Sequence, residues 1–207
     1  MIIEKLTKKG DNVLIKFDDE TELLLDLNSV LDKGYRRNDE LSEDEIENLK
    51  KLSNKTLVKN SAFNYLSRRI HSRGELYQKL KKKNFESEII NETLNELEEK
   101  KFLDDEFFAN RYAEEKLFRK KWGIEKVRSN LFLKGIKRKT IDEVLSAYSG
   151  DKVILENAIF LITKKKKFYS NKNYTEQQMK QKLFSFLRSR GFEYELISKA
   201  LNVVLEK

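Results

Sequence analysis

The stretch LFLKGIKRKTIDEVL, residues 131–145, reads as the end of one helix and the face of the next. If Gly135 is C′, then Ile136 is C″ and Leu131 is C3, the pair that meets in apolar contact in a Schellman ending. C′ needs a left-handed backbone, which Gly and Asn tolerate best. Ile141 and Leu145 then lie four apart on one face of the following helix. The same landmarks stand 51 residues earlier at Leu80, Asn84, Phe85, Ile90 and Leu94, and 56 residues later at Leu187, Gly191, Phe192, Ile197 and Leu201. Leu76, Val127 and Leu183 coincide under the same shifts. Asn84, Gly135 and Gly191 are therefore read as three structural helix stops.

Helix starts precede these stops. Ser72–Glu75 has the S-x-x-E form of a capping box and Thr175–Gln178 the T-x-x-Q form, while Gly123 is a weaker cap in the middle copy. Gly74 is expected to weaken the first turn of its helix. Upstream, Ala62-x2-Tyr65-Leu66 corresponds to Ala113-x2-Lys116-Leu117 and to Ala158-x2-Leu161-Ile162. The last shift is 45, not 56, so the third copy carries 11 extra residues, expected in the basic loop KKKKFYSNKNY. The predicted architecture is mainly α: three tandem three-helix repeats over 61–103, 105–149 and 152–206, each packed on its neighbours in an elongated, curved array. Residues 1–55 form a small N-terminal β region with a helix. Ile2–Leu6, Val13–Phe17 and Glu22–Asp26 read as an antiparallel meander. A short helix, Asn28–Lys33, ends at Gly34, and Ser42 opens a helix with an acidic first turn.

With 207 residues and 39% hydrophobic content the chain can bury real cores. It has no Cys, hence neither disulfides nor thiol chemistry, and no apolar run of about 20 residues to span a membrane. Its first residues lack a signal-peptide hydrophobic region, so a cytoplasmic protein is expected. The net charge of +8 is unevenly placed. Residues 107–150 hold 11 basic and 5 acidic side chains and residues 151–207 hold 12 and 6, whereas residues 1–106 are net acidic. That suits an anionic partner. Enzyme chemistry finds little support. There is one histidine, His71, read as a surface or packing residue, and no Gly-rich phosphate loop. Asp104 and Asp105 precede an apolar run and read as helix caps, not as a catalytic pair. No cofactor and no metal are expected, and the chain is not expected to be an enzyme.

Basic residues recur at the corner between the first and second helix of every repeat. Arg68, Arg69 and Arg73 flank His71; Arg119, Lys120 and Lys121 precede Trp122; Lys164, Lys165, Lys166 and Lys167 precede Phe168 and Tyr169. In a regular stack these corners line one side as electrostatic contacts. Trp122 is a core residue or a platform for a stacked base. Phe107, Phe108, Tyr112, Phe118 and Phe132 have helical spacing and read as packing residues.

The stretch YLSRRIHSRGELYQKLKKKNF, with LDDEFFANRY and LKGI after it, resembles the RecX family of bacterial recombinase regulators. Arg69, Ser72, Glu75 and Leu76, then Leu103, Asp104, Asp105, Phe108 and Ala109, then Lys134, Gly135 and Ile136 carry the likeness, which spans about residues 60–207. The resemblance implies a partner, the RecA recombinase as a filament on single-stranded DNA, and an outcome, restrained filament growth, ATPase and recombination. It places the chain in DNA repair, recombination and the SOS response, as a monomer that meets DNA directly or through the filament. The alternative is a free-standing DNA-binding protein built from helix-turn-helix-like units.

Overall fold

The computed structural model describes residues 1–150, 152–170 and 173–205. Three strands, β1 (Ile3–Lys9), β2 (Asn12–Phe17) and β3 (Glu22–Asp26), form an antiparallel sheet in the order β1-β2-β3, with Ile15 opposite both Leu6 and Leu23. Alternation sends Val13, Ile15, Phe17, Leu23 and Leu25 to one buried face. Ten helices follow among the described residues: α1 (Leu27–Lys33), α2 (Glu43–Leu66), α3 (Arg73–Lys81), α4 (Ser87–Glu99), α5 (Asp105–Glu114), α6 (Ile124–Leu133), α7 (Arg138–Ser146), α8 (Lys152–Ser170), α9 (Glu176–Ser189) and α10 (Tyr194–Leu205). A π-helical turn, Glu115–Arg119, prolongs α5.

The chain divides into two compact units, Met1–His71 with Glu75–Leu103, and Ser72–Gly74 with the chain from Asp104 onward. In the first, α2 spans the junction at which the sequence suggests separate regions. Its Ser42 capping box opens it, Ile46 and Leu49 cover the sheet, and Val58 and Ala62 enter the core of the first helical trio. Ser53 accepts the Leu24 N–H (3.0 Å), satisfying a donor on the edge strand. The first trio core is completed by Leu76, Leu80, Ile90, Leu94, Leu97 and Leu103. In the second unit, α5–α7 and α8–α10 share one apolar core.

The repeated landmarks occupy equivalent places. Leu76, Val127 and Leu183, then Leu80, Leu131 and Leu187, are all fully buried. The three stops carry left-handed backbones: φ is 63° at Asn84, 81° at Gly135 and 84° at Gly191. The Ile136 N–H donates to Leu131 O and the Gly135 N–H to Phe132 O, at 3.2 and 2.9 Å, and Phe192 and Gly191 repeat the pattern at 3.2 and 2.9 Å. These are Schellman endings. Thr175 and Gln178 make the expected capping box.

Two expectations are corrected. Lys164–Ser170 is not a loop. It is the end of α8, because nothing in KKKKFYS breaks a helix and lysine is a good helix former. Of the residues expected in the loop, Asn171 and Lys172 lie outside the described ones. The 11 extra residues lengthen the hairpin: α9 starts at Glu176, four residues ahead of position 180, the counterpart of the α6 start at Ile124. Gly74 and Gly123 are more than a weak turn and a weak cap. A methyl group on Gly123 would collide with the Gly191 carbonyl, and one on Gly74 would lie 2.8 Å from the Gly135 Cα. The α6 N-terminus donates across this approach, Gly123 N–H to Arg190 O (2.8 Å) and Glu125 N–H to Gly191 O (3.0 Å). Ser72, in the same unit as Lys134, donates its hydroxyl to the Lys134 carbonyl at 2.6 Å.

Gly123→Ala should therefore cost about 2–4 kcal/mol in urea denaturation followed by circular dichroism, since backbone must move on both sides. Gly34→Asn, at a left-handed position with open space around it, should cost under about 1 kcal/mol.

Candidate functional site

At the first corner α2 ends at Leu66, and Arg68 and Arg69 are exposed. Arg69 is engaged by Glu75 (Nη1–Oε2 3.0 Å) and by the Ile70 carbonyl (2.8 Å), so its charge is partly balanced. His71 is buried, with its ring 6.0 Å from that of Tyr65. Its Nδ1 lies 3.0 Å from the Arg69 carbonyl, which can only accept, so Nδ1 carries the proton. Burial holds the imidazole below the ordinary histidine range, against the pull of that hydrogen bond. His71 is thus a packing residue.

In the second unit the carboxylate pair is divided between two helices. Asp104 caps α5 by accepting the Phe107 N–H (2.8 Å), and Asp105 accepts the Arg73 N–H (2.8 Å). Burial pushes the Asp105 carboxyl up, although the Arg73 N–H and guanidinium pull the other way. Both residues act as caps. Arg73 itself is half-buried.

Arg119 and Lys120 are exposed at the end of the π-turn. Lys121 turns inward. Its φ is 53°, its Nζ donates to Asn157 Oδ1 at 2.7 Å, and it lies 5.1 Å from the Phe160 ring centre. Asn157 also donates its Nδ2 to the Leu117 carbonyl (3.0 Å), a group the π-turn leaves outside the regular ladder. Trp122 is half-buried against the shared core, with Lys126 and Lys116 Nζ 4.7 and 5.6 Å from its ring centre. Among the aromatic residues expected to pack, Phe108 is buried and Tyr112 half-buried, but Phe107, Phe118 and Phe132 are 52%, 39% and 67% exposed. Helical spacing gave their period and not the face they occupy.

The third corner lies on the last turns of α8. Lys164 and Lys167 are exposed, while Lys166 donates to Val204 O (2.7 Å), satisfying a carbonyl near the α10 C-terminus. Lys165 lies over Phe168, Tyr169 and Phe186, with Nζ 4.8, 5.1 and 5.4 Å from the ring centres. Here α8 and α9 wall an open groove of about 710 Å³, lined by Lys165, Tyr169, Tyr174, Gln178, Gln181, Lys182, Ser185 and Phe186. The sequence reading missed the α9 wall. Its signal was the four-residue spacing of Gln178, Lys182, Phe186 and Arg190, which puts them on one helical stripe.

No group of His, Asp or Glu among the described residues could hold a metal ion, and no described helix is long and apolar enough to cross a membrane. The first, second and third three-helix domains of RecX match residues 59–97, 104–145 and 155–201. A Regulatory protein RecX from Chlorobium phaeobacteroides is 34% identical over 69% of this chain and 90% of its own length. One from Finegoldia magna is 28% identical over 95% and 96%. A crystal structure of regulatory protein RecX covers all of this chain and 99% of its own at 22% identity with a TM-score of 0.79, showing a shared fold. RecX from Lactobacillus salivarius covers 74% and 98% at 25% identity with a TM-score of 0.66.

The His71 environment makes stability depend on pH. Its pKa is lower folded than unfolded, so the unfolded chain binds the proton first. Stability should be complete above the ordinary value of about 6.5 and fall as the pH drops below it towards the folded value. His71→Phe should flatten this part of the profile, measured as urea midpoints from about pH 7 to 5.

Proposed function

We propose that this chain, which belongs to the RecX family, is a non-catalytic regulator that binds the RecA recombinase filament on single-stranded DNA. Bound there, it restrains filament growth, ATPase and recombination. The family is one of regulatory proteins by the names its members carry. The observation that supports the finer reading is the return of a cationic corner at the end of the first helix in each of three trios. A filament repeats its surface, and a protein that repeats its charged corners can meet several protomers at once, gaining avidity from linked weak contacts. The exposed corner residues whose charge is not already engaged, as Arg69 is by Glu75, are Arg68, Arg119, Lys120, Lys164 and Lys167. Arg69, Arg73, Lys121, Lys165 and Lys166 remain proposed contacts that would have to leave or share the partners or packing described above. Trp122 is only partly exposed, packed against the core with two lysines over its ring, so stacking there would have to displace a lysine.

ATP hydrolysis by RecA on single-stranded DNA should fall on adding this chain at stoichiometric ratio. The triple variant Arg119→Glu, Lys120→Glu, Lys164→Glu should need about tenfold more protein for the same inhibition, since each lost charge contact is worth a fraction of a kcal/mol to about 1 kcal/mol. Unchanged hydrolysis with the unsubstituted chain would defeat the proposal. Tight, sequence-dependent duplex binding without recombinase would instead favour a free-standing DNA-binding protein.

A further inference from the structure

The groove between α8 and α9 extends the third corner, whose Lys165 it includes. Its lining contains no carboxylate. Among the described residues no acid pairs with Lys165 or Lys182. Lys182 Nζ instead lies 4.6 Å from the Tyr174 ring centre, and Lys165 is shared among three rings. A cation over a ring keeps its charge for an outside anion, since a ring face neutralises nothing. Tyr169 and Tyr174 meet edge to face, with centres 5.7 Å apart at 87°. The edge of one ring covers one face of the other, and Lys165 and Lys182 lie over a face of Tyr169 and of Tyr174, so the pair keeps one uncovered face for a base. Both side chains are partly exposed.

We propose that this groove binds a segment of single-stranded nucleic acid, with a base stacked on Tyr169 or Tyr174 and with Lys165 and Lys182 at the neighbouring phosphates. A volume of about 710 Å³ suits a nucleotide unit. The groove is open to solvent, as entry of a strand requires. Gln178 and Gln181 supply amide groups for base edges, but stacking is the main interaction, so sequence preference is weak. In the third trio the α8 wall, Lys165 and Tyr169, lies in the lengthened end of α8, and Gln178 lies in the lengthened start of α9. The proposal deepens the regulatory reading and rests on it for the choice of strand as partner: it assigns the DNA, not the recombinase, to this place.

The test uses the full chain without recombinase, by fluorescence anisotropy with labelled oligo-dT and an abasic strand of equal length, with poly-glutamate as competitor. The unsubstituted chain should bind oligo-dT more tightly than the abasic strand. The double variant Tyr169→Ala, Tyr174→Ala should lose about tenfold or more for oligo-dT and little for the abasic strand. The corresponding Tyr→Phe pair should bind normally, since the rings remain. Lys182→Ala should lower the salt slope by about one phosphate contact. Circular dichroism establishes that the variants are folded. Equal binding of both strands, oligo-dT affinity of the Tyr→Ala pair within about twofold of normal, or poly-glutamate displacing the strand at equal charge would each overturn the proposal; the last would indicate an acidic protein partner. These results are read without recombinase, so a failure of the groove proposal is distinguishable from a failure of ATPase inhibition.

Discussion

A carbonyl oxygen set against a glycine organises the second unit. The N-terminus of α6 has unpaired N–H groups, and the C-terminus of α9 has unpaired carbonyls. Each end supplies what the other needs, and the opposed dipoles favour the approach. The hydrogen bonds from Gly123 and Glu125 form only if no side chain intervenes, so glycine stands on both sides, at Gly123 and Gly191. Ser72–Gly74 makes a related approach to Lys134 and Gly135. The second corner, residues 119–122, leads directly into the helix end held in this way.

This explains which glycines are indispensable. At Gly135 and Gly191 two demands coincide, a left-handed backbone and main chain pressed against the Cα. Asn84 meets only the first demand: it is exposed, and its side chain has room. The same helix stop can thus be written with Asn in the first trio, and needs Gly in the other two.

Signals confined to one element were legible in the sequence. The stops, the Thr175 box, the buried Leu/Ile/Val landmarks and the meander all depend on neighbours within a few residues. Contacts made across long separations were not. Nothing near Gly123 in sequence announces Gly191, and nothing near Lys121 announces Asn157, which draws that lysine inward. The corner charges were legible as charges, yet Arg69 and Lys166 prove to be engaged by Glu75 and by Val204 O, partners that a charge count does not reveal. The α9 wall of the groove escaped notice because Lys182 and Phe186 lie in a stretch that reads as an ordinary amphipathic helix.

Main-chain coupling where the second and third trios meet also bears on how such a chain can change over evolutionary time. A contact made by peptide groups and hydrogen atoms survives almost any replacement at the surrounding surface positions, provided a few glycines and the apolar landmarks persist. Charge and aromatic character on the outside can drift and be retuned to a changing partner without renegotiating the scaffold. A solved relative that retains the fold at 22% identity is what such tolerance would leave behind.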